Sequence, residues 1–385
     1  MKYLKYCIAI FAFLALYACK DKESNLLDPK VYFENAQQKL EVEENVNTHD
    51  FNIVARVSNV TDSDVNVTYQ IGNAQMVADY NAKNDTKFQM MPAENFSLEK
   101  NSATIKGGTV YAAPCKLQLK NLSQIAEGAT YLIPVTIADA SLPTIEAKTT
   151  FVIITKPIVI NKVFDLYDGK YLSIPMPSNS KFNAITYEAL VYADYHRKLS
   201  TVMGAEGNLI FRFGDTTVDA DQIQVAGKVQ FNPSMHFAAE KWYHVAFVFN
   251  GANKLAEIYV NGERVAEKTA DVTSFDLNGD FFIGYAYDYD SSRTWRGKMA
   301  ECRVWSVART AGQLKNNMLG VDPNSEGLFG YWKMNGTDVY EKNGKYYVKD
   351  QSKNKRDATS RQGSYQKGAG ASVQPSVVNL KVDLK

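Results

Sequence analysis

The strongest fold signal in the sequence lies at residues 241–265, which read KWYHVAFVFNGANKLAEIYVNGERV. The stretch contains two runs in which apolar residues recur at every second position, and this period predicts strands with one buried face. The apolar positions are Tyr243, Val245, Phe247 and Phe249 in the first run and Ala256, Ile258 and Val260 in the second. Asn250-Gly251 follows the first run and Asn261-Gly262 the second, and Asn-Gly pairs supply the positive φ of tight hairpin turns. The stretch therefore predicts a meander of antiparallel strands.

The length and composition indicate a globular chain of two domains. The chain has 385 residues, more than one ordinary domain contains. Hydrophobic residues make up 45% and charged residues 22%, which is typical of a folded protein. The formal net charge is +1 and the chain has no basic block, so the composition argues against nucleic acid as a partner.

The N-terminus predicts a leader that is cleaved. A basic start, MKYLK, precedes an apolar segment at residues 7–17, which is shorter than the roughly 20 residues that a membrane-spanning helix needs. The segment ends Leu16-Tyr17-Ala18-Cys19, which resembles the bacterial lipobox. The resemblance implies a signal peptide over 1–18, lipidation of Cys19 and a tether over 19–30. A plain secretory leader with an incidental cysteine is the alternative. The next residues, Lys20-Asp21-Lys22-Glu23, are similar to the export signal of bacterial surface lipoproteins, and this second resemblance implies an outer-membrane protein exposed at the cell surface. A solvated tether is the alternative interpretation of these four residues.

Residues 31–156 predict a first β-domain, because short alternating segments are separated by turn signals. Residues 73–84 are the exception. Asn73 can cap a helix there, and Met76, Val77 and Tyr80 share a face at helical spacing. The motifs Asp79-Tyr80-Asn81 and GATYLIPV at 128–135 resemble a recurrent domain of unknown function in bacterial surface lipoproteins. That resemblance implies an immunoglobulin-like β-sandwich that acts as a spacer.

A second domain is predicted over 158–385, since Pro157 removes a donor from the preceding strand. Within it, WYHVA at 242–246 and YVNG at 259–262 resemble the centre of laminin-G-like, concanavalin A-like jelly rolls. DGKYLSIP at 168–175 and WRGKMAECRVW at 295–305 are similar to other strands of that family. The implied fold is all-β, an immunoglobulin-like sandwich followed by a jelly roll. Residues 308–319 predict a short helix, and residues 377–384 predict a last strand.

Catalytic and redox signatures are missing from the sequence. Retaining glucanases on this fold carry Glu-x-Asp-x-Glu, which places paired carboxylates on one strand face. Every glutamate of the chain lacks an aspartate two positions later, so Glu188 on the matching strand has no partner. His244 is interpreted as a packed structural residue. Cys115 and Cys302 are predicted to be buried small hydrophobes, because their number and spacing fit neither a disulfide framework nor a metal site.

The candidate ligand site is the loop YAYDYDSSRTW at 285–295, which combines aromatic rings with hydrogen-bonding groups. Sugar rings stack on aromatic faces, and their hydroxyls bond to carboxylates and guanidinium groups. The candidate residues are Tyr285, Tyr287, Asp288, Asp290, Arg293 and Trp295, with His196 from a second loop, Tyr195-His196-Arg197. The alternative is a long hairpin connection with ordinary loop residues.

No cofactor is predicted, and calcium is the one metal considered. Some relatives of the fold bind calcium through aspartates and carbonyl oxygens. Asp168, Asp288 and Asp290 are the candidates here, although calcium takes six to eight oxygen ligands.

The sequence thus leads to a non-catalytic, surface-exposed lipoprotein that binds a glycan or glycoprotein in a polysaccharide-capture system. Neighbouring surface proteins are further expected partners. A protein-binding or structural adhesin-type module is the first alternative. A glycoside hydrolase with unfamiliar catalytic residues is the second.

Overall fold

The chain divides into two compact units, the first ending at Pro157 and the second beginning at Ile158. The computed structural model describes residues 28–84, 86–146, 148–178, 180–277, 279–286, 293–363 and 370–384. No helix in these ranges is long and apolar enough to cross a membrane. Strands dominate both units, as the alternating patterns predict.

The first unit is a β-sandwich with one helix in its described part. Its strands are β1 Val31–Phe33, β2 Gln37–Glu41, β3 His49–Ile53, β4 Ala55–Val57, β5 Val65–Ile71, β6 Gln89–Met90, β7 Phe96–Leu98, β8 Ser102–Ile105, β9 Cys115–Leu119, β10 Thr130–Ala140 and β11 Thr149–Thr155. Helix α1 spans Ala74–Asn84, and short 3₁₀ turns lie at Ala93–Asn95 and Leu122–Gln124. The main sheet has the order β2-β11-β10-β5-β8, and β3-β9-β7 and β1-β4 form smaller sheets that share its core.

The position of α1 confirms the helix predicted over residues 73–84. The side-chain oxygen of Asn73 accepts a hydrogen bond from the backbone N–H of Met76 at 3.1 Å, which satisfies one of the free donors at the helix start. Val77 is buried in a small cluster with Leu132 and Ile153, so the helix covers the outside of the main sheet.

The second unit is a sandwich of two large sheets within the described residues. Its strands are β12 Lys162–Asp165, β13 Lys170–Pro175, β14 Lys181–Phe182, β15 Ala184–Ala193, β16 Ser200–Ala205, β17 Leu209–Phe213, β18 Ile223–Gly227, β19 Trp242–Asn250, β20 Leu255–Val260, β21 Glu263–Thr269, β22 Phe275–Asp276, β23 Asp280–Ile283, β24 Gly297–Trp305, β25 Leu328–Trp332, β26 Val339–Lys342, β27 Lys345–Val348, β28 Ala358–Gln362, β29 Ala371–Ser372 and β30 Ser376–Asn379. Helix α2 spans Ala311–Asn316.

The two sheets enclose the main core of this unit. The meander sheet has the order β21-β20-β19-β15-β24-β12-β30, with β25 beside β24. The opposing sheet has the order β18-β17-β16-β23-β13-β28-β27-β26, with β29 beside β28. Phe247 and Phe249 of β19 belong to the same buried cluster as Phe211 and Phe213 of β17. The alternation along each strand therefore places its apolar face in the space between the sheets.

The predicted meander is confirmed, but one of its two turns differs from the prediction. Asn261 and Gly262 have φ values of 49° and 80°, as a two-residue hairpin turn requires. Asn250 pairs with Leu255, so residues 251–254 connect these strands and Lys254 adopts the positive φ, 57°. Gly251 is needed for a different reason. A Cβ at this position would lie 2.2 Å from the carbonyl oxygen of Thr273.

The outer face of the meander sheet is covered by chain that follows β24. Helix α2 lies within the predicted range 308–319 and begins with a capping box in which Thr310 and Gln313 bond each other's backbone. Leu314 of α2 packs with Val248 and Tyr259, and Val382 of the C-terminal segment packs with Val163 and Leu190. The last predicted strand is present as β30, which pairs with β12. Both faces of the meander sheet are therefore apolar over much of their area.

Candidate functional site

Three loops of the second unit meet at one edge of the sandwich. They connect β12 to β13, β15 to β16 and β23 to β24. The Arg197 Nη2 donates to the carbonyl oxygen of Thr294 at 3.1 Å, and Arg296 donates to the carbonyl oxygen of Tyr167. The loop that carries Tyr195-His196-Arg197 therefore lies against the described end of the loop at 285–295, at Thr294. We call the exposed part of this edge, formed by Tyr167, Tyr195, His196 and Arg296, the rim surface.

Two exposed tyrosines form the aromatic part of the rim surface. Tyr167 is 44% exposed and Tyr195 is 43% exposed, whereas the other described tyrosines of this unit are buried or half-buried. Their ring centroids are 6.2 Å apart with an interplanar angle of 73°. The Arg296 Cζ lies 5.9 Å from the centroid of Tyr167, within cation–π range. The edge thus presents aromatic faces and a guanidinium group to solvent side by side.

Electrostatically the rim surface is cationic at Arg296. None of the described carboxylates forms an ion pair with this guanidinium, and its Nε is buried without a hydrogen-bond partner. The nearby Asp194 is occupied by Lys298, whose Nζ lies 2.7 Å from its Oδ1. The Nη2 of Arg296 makes no hydrogen bond to a described residue, so it can donate to hydroxyl or carboxylate oxygens of a ligand.

His196 lies at the base of the rim surface. Its ring stacks on Phe213 of the core with centroids 5.6 Å apart and planes 24° apart. Its Nε2 is buried and has no hydrogen-bond partner among the described residues. Since the ring is half-buried and fixed by Phe213, His196 supports the loop and offers a ligand only its edge.

The stacking role predicted for Tyr285 and Trp295 is corrected by their burial. Both side chains are 1% exposed. The Tyr285 ring stacks on Tyr171 at 4.5 Å, and the Trp295 ring packs edge-on against Phe213 at 5.4 Å. A sugar ring cannot stack on a face that is already covered. Both residues therefore pack within the domain.

Of the remaining predicted residues, Arg293 and Asp168 lie beside oppositely charged side chains, and the others lie outside the described ranges. Arg293 forms an ion pair with Glu206 at 2.9 Å. Asp168 is exposed and lies 3.7 Å from the Nζ of Lys170. Tyr287, Asp288 and Asp290 lie outside the described residues, and so does Cys19.

The described residues bring together one group of potential metal ligands, at a place that the sequence analysis did not consider. It consists of Asp219, Asp221 and His236, and the His236 Nδ1 lies 3.0 Å from the Oδ1 of Asp221. Three side chains are fewer than the six to eight oxygens that calcium takes. The group does not include Asp168.

A second set of charged residues lies on the covered outer face of the meander sheet. Glu188 contacts the Nη1 of Arg309 at 2.7 Å, the Nε2 of His244 at 3.0 Å and the Nη1 of Arg303 at 3.4 Å. Glu188, His244 and Arg303 are 0% exposed and Arg309 is 6% exposed. We call these four residues the buried charge network. His244 is thus packed, as predicted.

The pKa values within the network follow from its charges. Burial alone would raise the pKa of Glu188, but Arg303, the hydrogen bond from His244 and the charge of Arg309 lower it to about 2. Burial lowers the pKa of His244, although Glu188 opposes this. A neutral His244 that donates from Nε2 to a charged Glu188 agrees with both directions. A carboxylate sealed in this way cannot reach a sugar.

The sequence analysis missed Tyr167, and it treated Tyr195 and Arg296 only as parts of motifs. Tyr167 immediately precedes Asp168-Gly169, the turn that opens the jelly-roll motif, and Gly169 has a φ of 77°. Aromatic residues beside such a turn are candidates for exposure, because the tight turn carries them to the end of the sandwich. That signal was present in the sequence.

A family described as the concanavalin A-like lectin/glucanases superfamily matches residues 167–315, and an N-terminal-domain family matches residues 27–144. A crystal structure from Bacteroides ovatus, to which carbohydrate binding is ascribed, is 32% identical, with a TM-score of 0.76. The alignment covers 92% of this chain and 100% of that one. This chain belongs to the family of that Bacteroides ovatus protein.

More distant structures resemble the chain over parts of its length. A heptameric SAP-like pentraxin from Limulus polyphemus is 16% identical over 40% of this chain and 79% of that one, with a TM-score of 0.33. A two-domain protein of unknown function from Bacteroides fragilis is 13% identical over 68% of this chain and 96% of that one, with a TM-score of 0.29. No curated protein matches the sequence. The family relationship therefore rests on the Bacteroides ovatus protein and the two family matches.

Proposed function

We propose that this protein is a non-catalytic surface lipoprotein that binds glycans, or glycoproteins through their glycans, at the rim surface. The pair of exposed rings at Tyr167 and Tyr195 carries the proposal. Carbohydrate C–H faces stack on open aromatic rings, and the adjacent Arg296 supplies donors for hydroxyl oxygens. The carbohydrate binding ascribed to the Bacteroides ovatus relative supports the same ligand class.

The burial of Glu188 supports the non-catalytic part of the proposal. A retaining glycosidase needs two carboxyl groups about 5–5.5 Å apart on either side of the scissile bond. Glu188 is the carboxylate on the strand where glucanases of this fold carry theirs. It is 0% exposed and is held by two arginines and a histidine.

A glycan array followed by calorimetry tests the ligand class and the site. We expect Tyr167→Ala and Tyr195→Ala each to weaken binding of the array hit about tenfold, or about 1.4 kcal/mol, because each removes one stacking face. Both side chains lie at the surface and outside the core, so the melting temperature should stay within a degree or two of the wild-type value.

Tyr111→Ala is the matched control for this experiment. Tyr111 belongs to the first unit, is 44% exposed and also lies beside an arginine, with the Arg56 Cζ 4.9 Å from its ring centroid. This variant should keep full glycan affinity. Glycan affinity that survives both rim substitutions would place the site elsewhere, and an array without any hit would refute the ligand class.

The lipid anchor is a separate part of the proposal and has its own test. Its motivation is the lipobox-like Leu16-Tyr17-Ala18-Cys19, and the proposed location is the outer membrane, beside neighbouring surface proteins of a capture system. Each buried CH₂ of an acyl chain contributes about 0.8 kcal/mol, so a multiply acylated cysteine anchors firmly. We expect wild-type protein in the membrane fraction with a lipidated N-terminal cysteine by mass spectrometry, and Cys19→Ser in the soluble fraction. An unlipidated native N-terminus would rule out the anchor.

A further inference from the structure

The end of the second unit opposite the rim surface contains an open pocket of about 530 Å³. Strand β15 begins at this pocket with Ala184 and ends beside the rim with Ala193. At about 3.3 Å per residue, the two regions are therefore about 30 Å apart. The side chains that give the pocket its character are Lys181, Phe182, Asn183, Ser306, Phe329 and Arg356.

Arg356 is fixed against the pocket wall but keeps free donors. Its Cζ lies 4.0 Å from the centroid of the Phe329 ring, and its Nη1 donates to the carbonyl oxygen of Phe329 at 3.2 Å. Phe182 packs edge-on against Phe329 with centroids 4.8 Å apart. The Nε and Nη2 of Arg356 have no hydrogen-bond partner among the described residues. The guanidinium is thus oriented in advance, with one edge available to a ligand.

The lining carries positive charge, and none of the described residues that line the pocket is acidic. Lys181 is exposed, and none of the described acidic residues forms an ion pair with its ammonium group. Asp276 lies opposite Lys181 in the β14–β22 pair but does not line the pocket. Asp350, whose charge acts on Arg356, accepts backbone N–H groups of Tyr331, Ser352 and Arg356. Two cations in a concave site attract an anionic ligand.

We propose that this pocket binds the anionic group of a charged sugar, either the carboxylate of a hexuronate or a sulfate ester. Arg356 makes the principal contact, because its planar fork matches the paired oxygens of either group, and Lys181 supplies the second charge. The pocket lies within the range of roughly 300–1,000 Å³ that small-molecule sites occupy. That a sugar carries the anion rests on the proposed function, whereas the preference for an anion rests on the pocket alone.

Titration calorimetry on the chain from Lys20 onward, which contains both units, tests this second site. The probes are galacturonate, galactose 6-sulfate and neutral galactose. We expect the charged sugars to bind about tenfold more tightly than galactose, and this difference to shrink as salt is raised. Arg356→Gln should weaken galacturonate binding about tenfold, and Lys181→Gln should weaken it about threefold. Equal affinities for galacturonate and galactose would overturn the proposal.

Tyr195→Ala separates this site from the rim surface. The variant should lose affinity for the neutral glycan found on the array and retain the wild-type affinity for galacturonate. Loss of galacturonate binding in Tyr195→Ala would assign the charged sugar to the rim and overturn the second site. Failure of rim binding alone would leave galacturonate binding at the pocket intact.

Two further measurements keep the proposal open to refutation. If Arg356→Gln lowers the melting temperature, its loss of affinity could come from unfolding. Lys181→Gln is then the test, because the Lys181 side chain is exposed. A wild-type galacturonate affinity in Lys181→Gln would refute the proposal. Inorganic sulfate is the other probe. If it competes as well as galactose 6-sulfate, the site takes simple anions and the assignment to a sugar is wrong.

Discussion

The buried charge network and the rim surface contain similar chemistry in opposite environments. The network joins Glu188 and His244 to Arg303 and Arg309. The Arg309 Cζ lies 4.1 Å from the ring centroid of Trp305. The rim surface joins Arg296 to two tyrosine rings. The network resembles a catalytic centre more closely, yet Glu188 and His244 are 0% exposed, whereas the two rim tyrosines are more than 40% exposed. Solvent access, and not residue composition, separates the packed network from the proposed binding surface in this protein.

Breaking the network should produce the largest effect on stability. Glu188→Ala leaves Arg303, Arg309 and His244 buried without their carboxylate, and removing one partner of a buried ion pair costs about 3–5 kcal/mol. Urea denaturation should report this loss in the free energy of unfolding.

Glu206→Ala is the matched control, because its carboxylate pairs with Arg293 at a partly exposed position. Its effect should stay below about 1 kcal/mol. If Glu188→Ala and Glu206→Ala lost similar amounts of unfolding free energy, the buried ion pairs would stabilise the protein no more than a surface salt bridge does.

Much of the fold was predictable because its signals are local. Alternation marks the face of β19 that lies between the two sheets within nine residues, although the other face of this strand is buried as well. The caps at Asn73 and Thr310 lie within one turn of their helices. The Asn250-Gly251 prediction was wrong because the need for Gly251 comes from Thr273, a residue outside the turn.

The candidate site was only partly predictable, since exposure depends on what packs over a side chain. Tyr285 and Tyr195 both stand in polar loops, but the ring of Tyr285 is covered by Tyr171 of a neighbouring strand, whereas the ring of Tyr195 meets Tyr167 edge-on and stays 43% exposed. No local pattern distinguishes the two positions. The proximity of the loops at 195–197 and 285–295 was predictable, because both connect strands at the same edge of a jelly roll.

Trp295→Ala tests the difference between a buried and an exposed residue at the end of the loop at 285–295. Trp295 is 1% exposed and packs in the main core, whereas its neighbour Arg296 reaches the rim surface. We expect a loss of about 3–5 kcal/mol in the free energy of unfolding, the cost of removing a core tryptophan.

The exposed Tyr195→Ala should change the free energy of unfolding by less than about 0.5 kcal/mol in the same denaturation experiment. A Trp295→Ala variant that kept its stability but lost glycan affinity would restore tryptophan stacking as the binding mode and contradict the burial argument.

A smaller loss of stability is expected from the titration of Glu301, a buried carboxyl on the same outer face as Glu188 but without the low pKa of Glu188. Burial raises the pKa of Glu301 to about 6 from an ordinary 4.5, although Arg303 and the hydroxyl of Tyr331 oppose the rise. The folded state therefore holds this proton more tightly than the unfolded state. The protonated Glu301 therefore contributes about 2 kcal/mol to the free energy of unfolding. This contribution is complete below pH 4.5 and is lost as the pH rises through about 6.

Glu301→Gln isolates this contribution, because glutamine keeps an acceptor for Tyr331 and does not titrate. Glu188 and His244 titrate in both proteins, so their effects cancel in the difference between wild type and variant. Between pH 4 and pH 7.5 the free energy of unfolding of the wild type should fall by about 2 kcal/mol relative to the variant. Urea denaturation at several pH values measures this difference. Parallel pH profiles would mean that Glu301 is charged in the folded state, and that the outer face stabilises two carboxylates and not one.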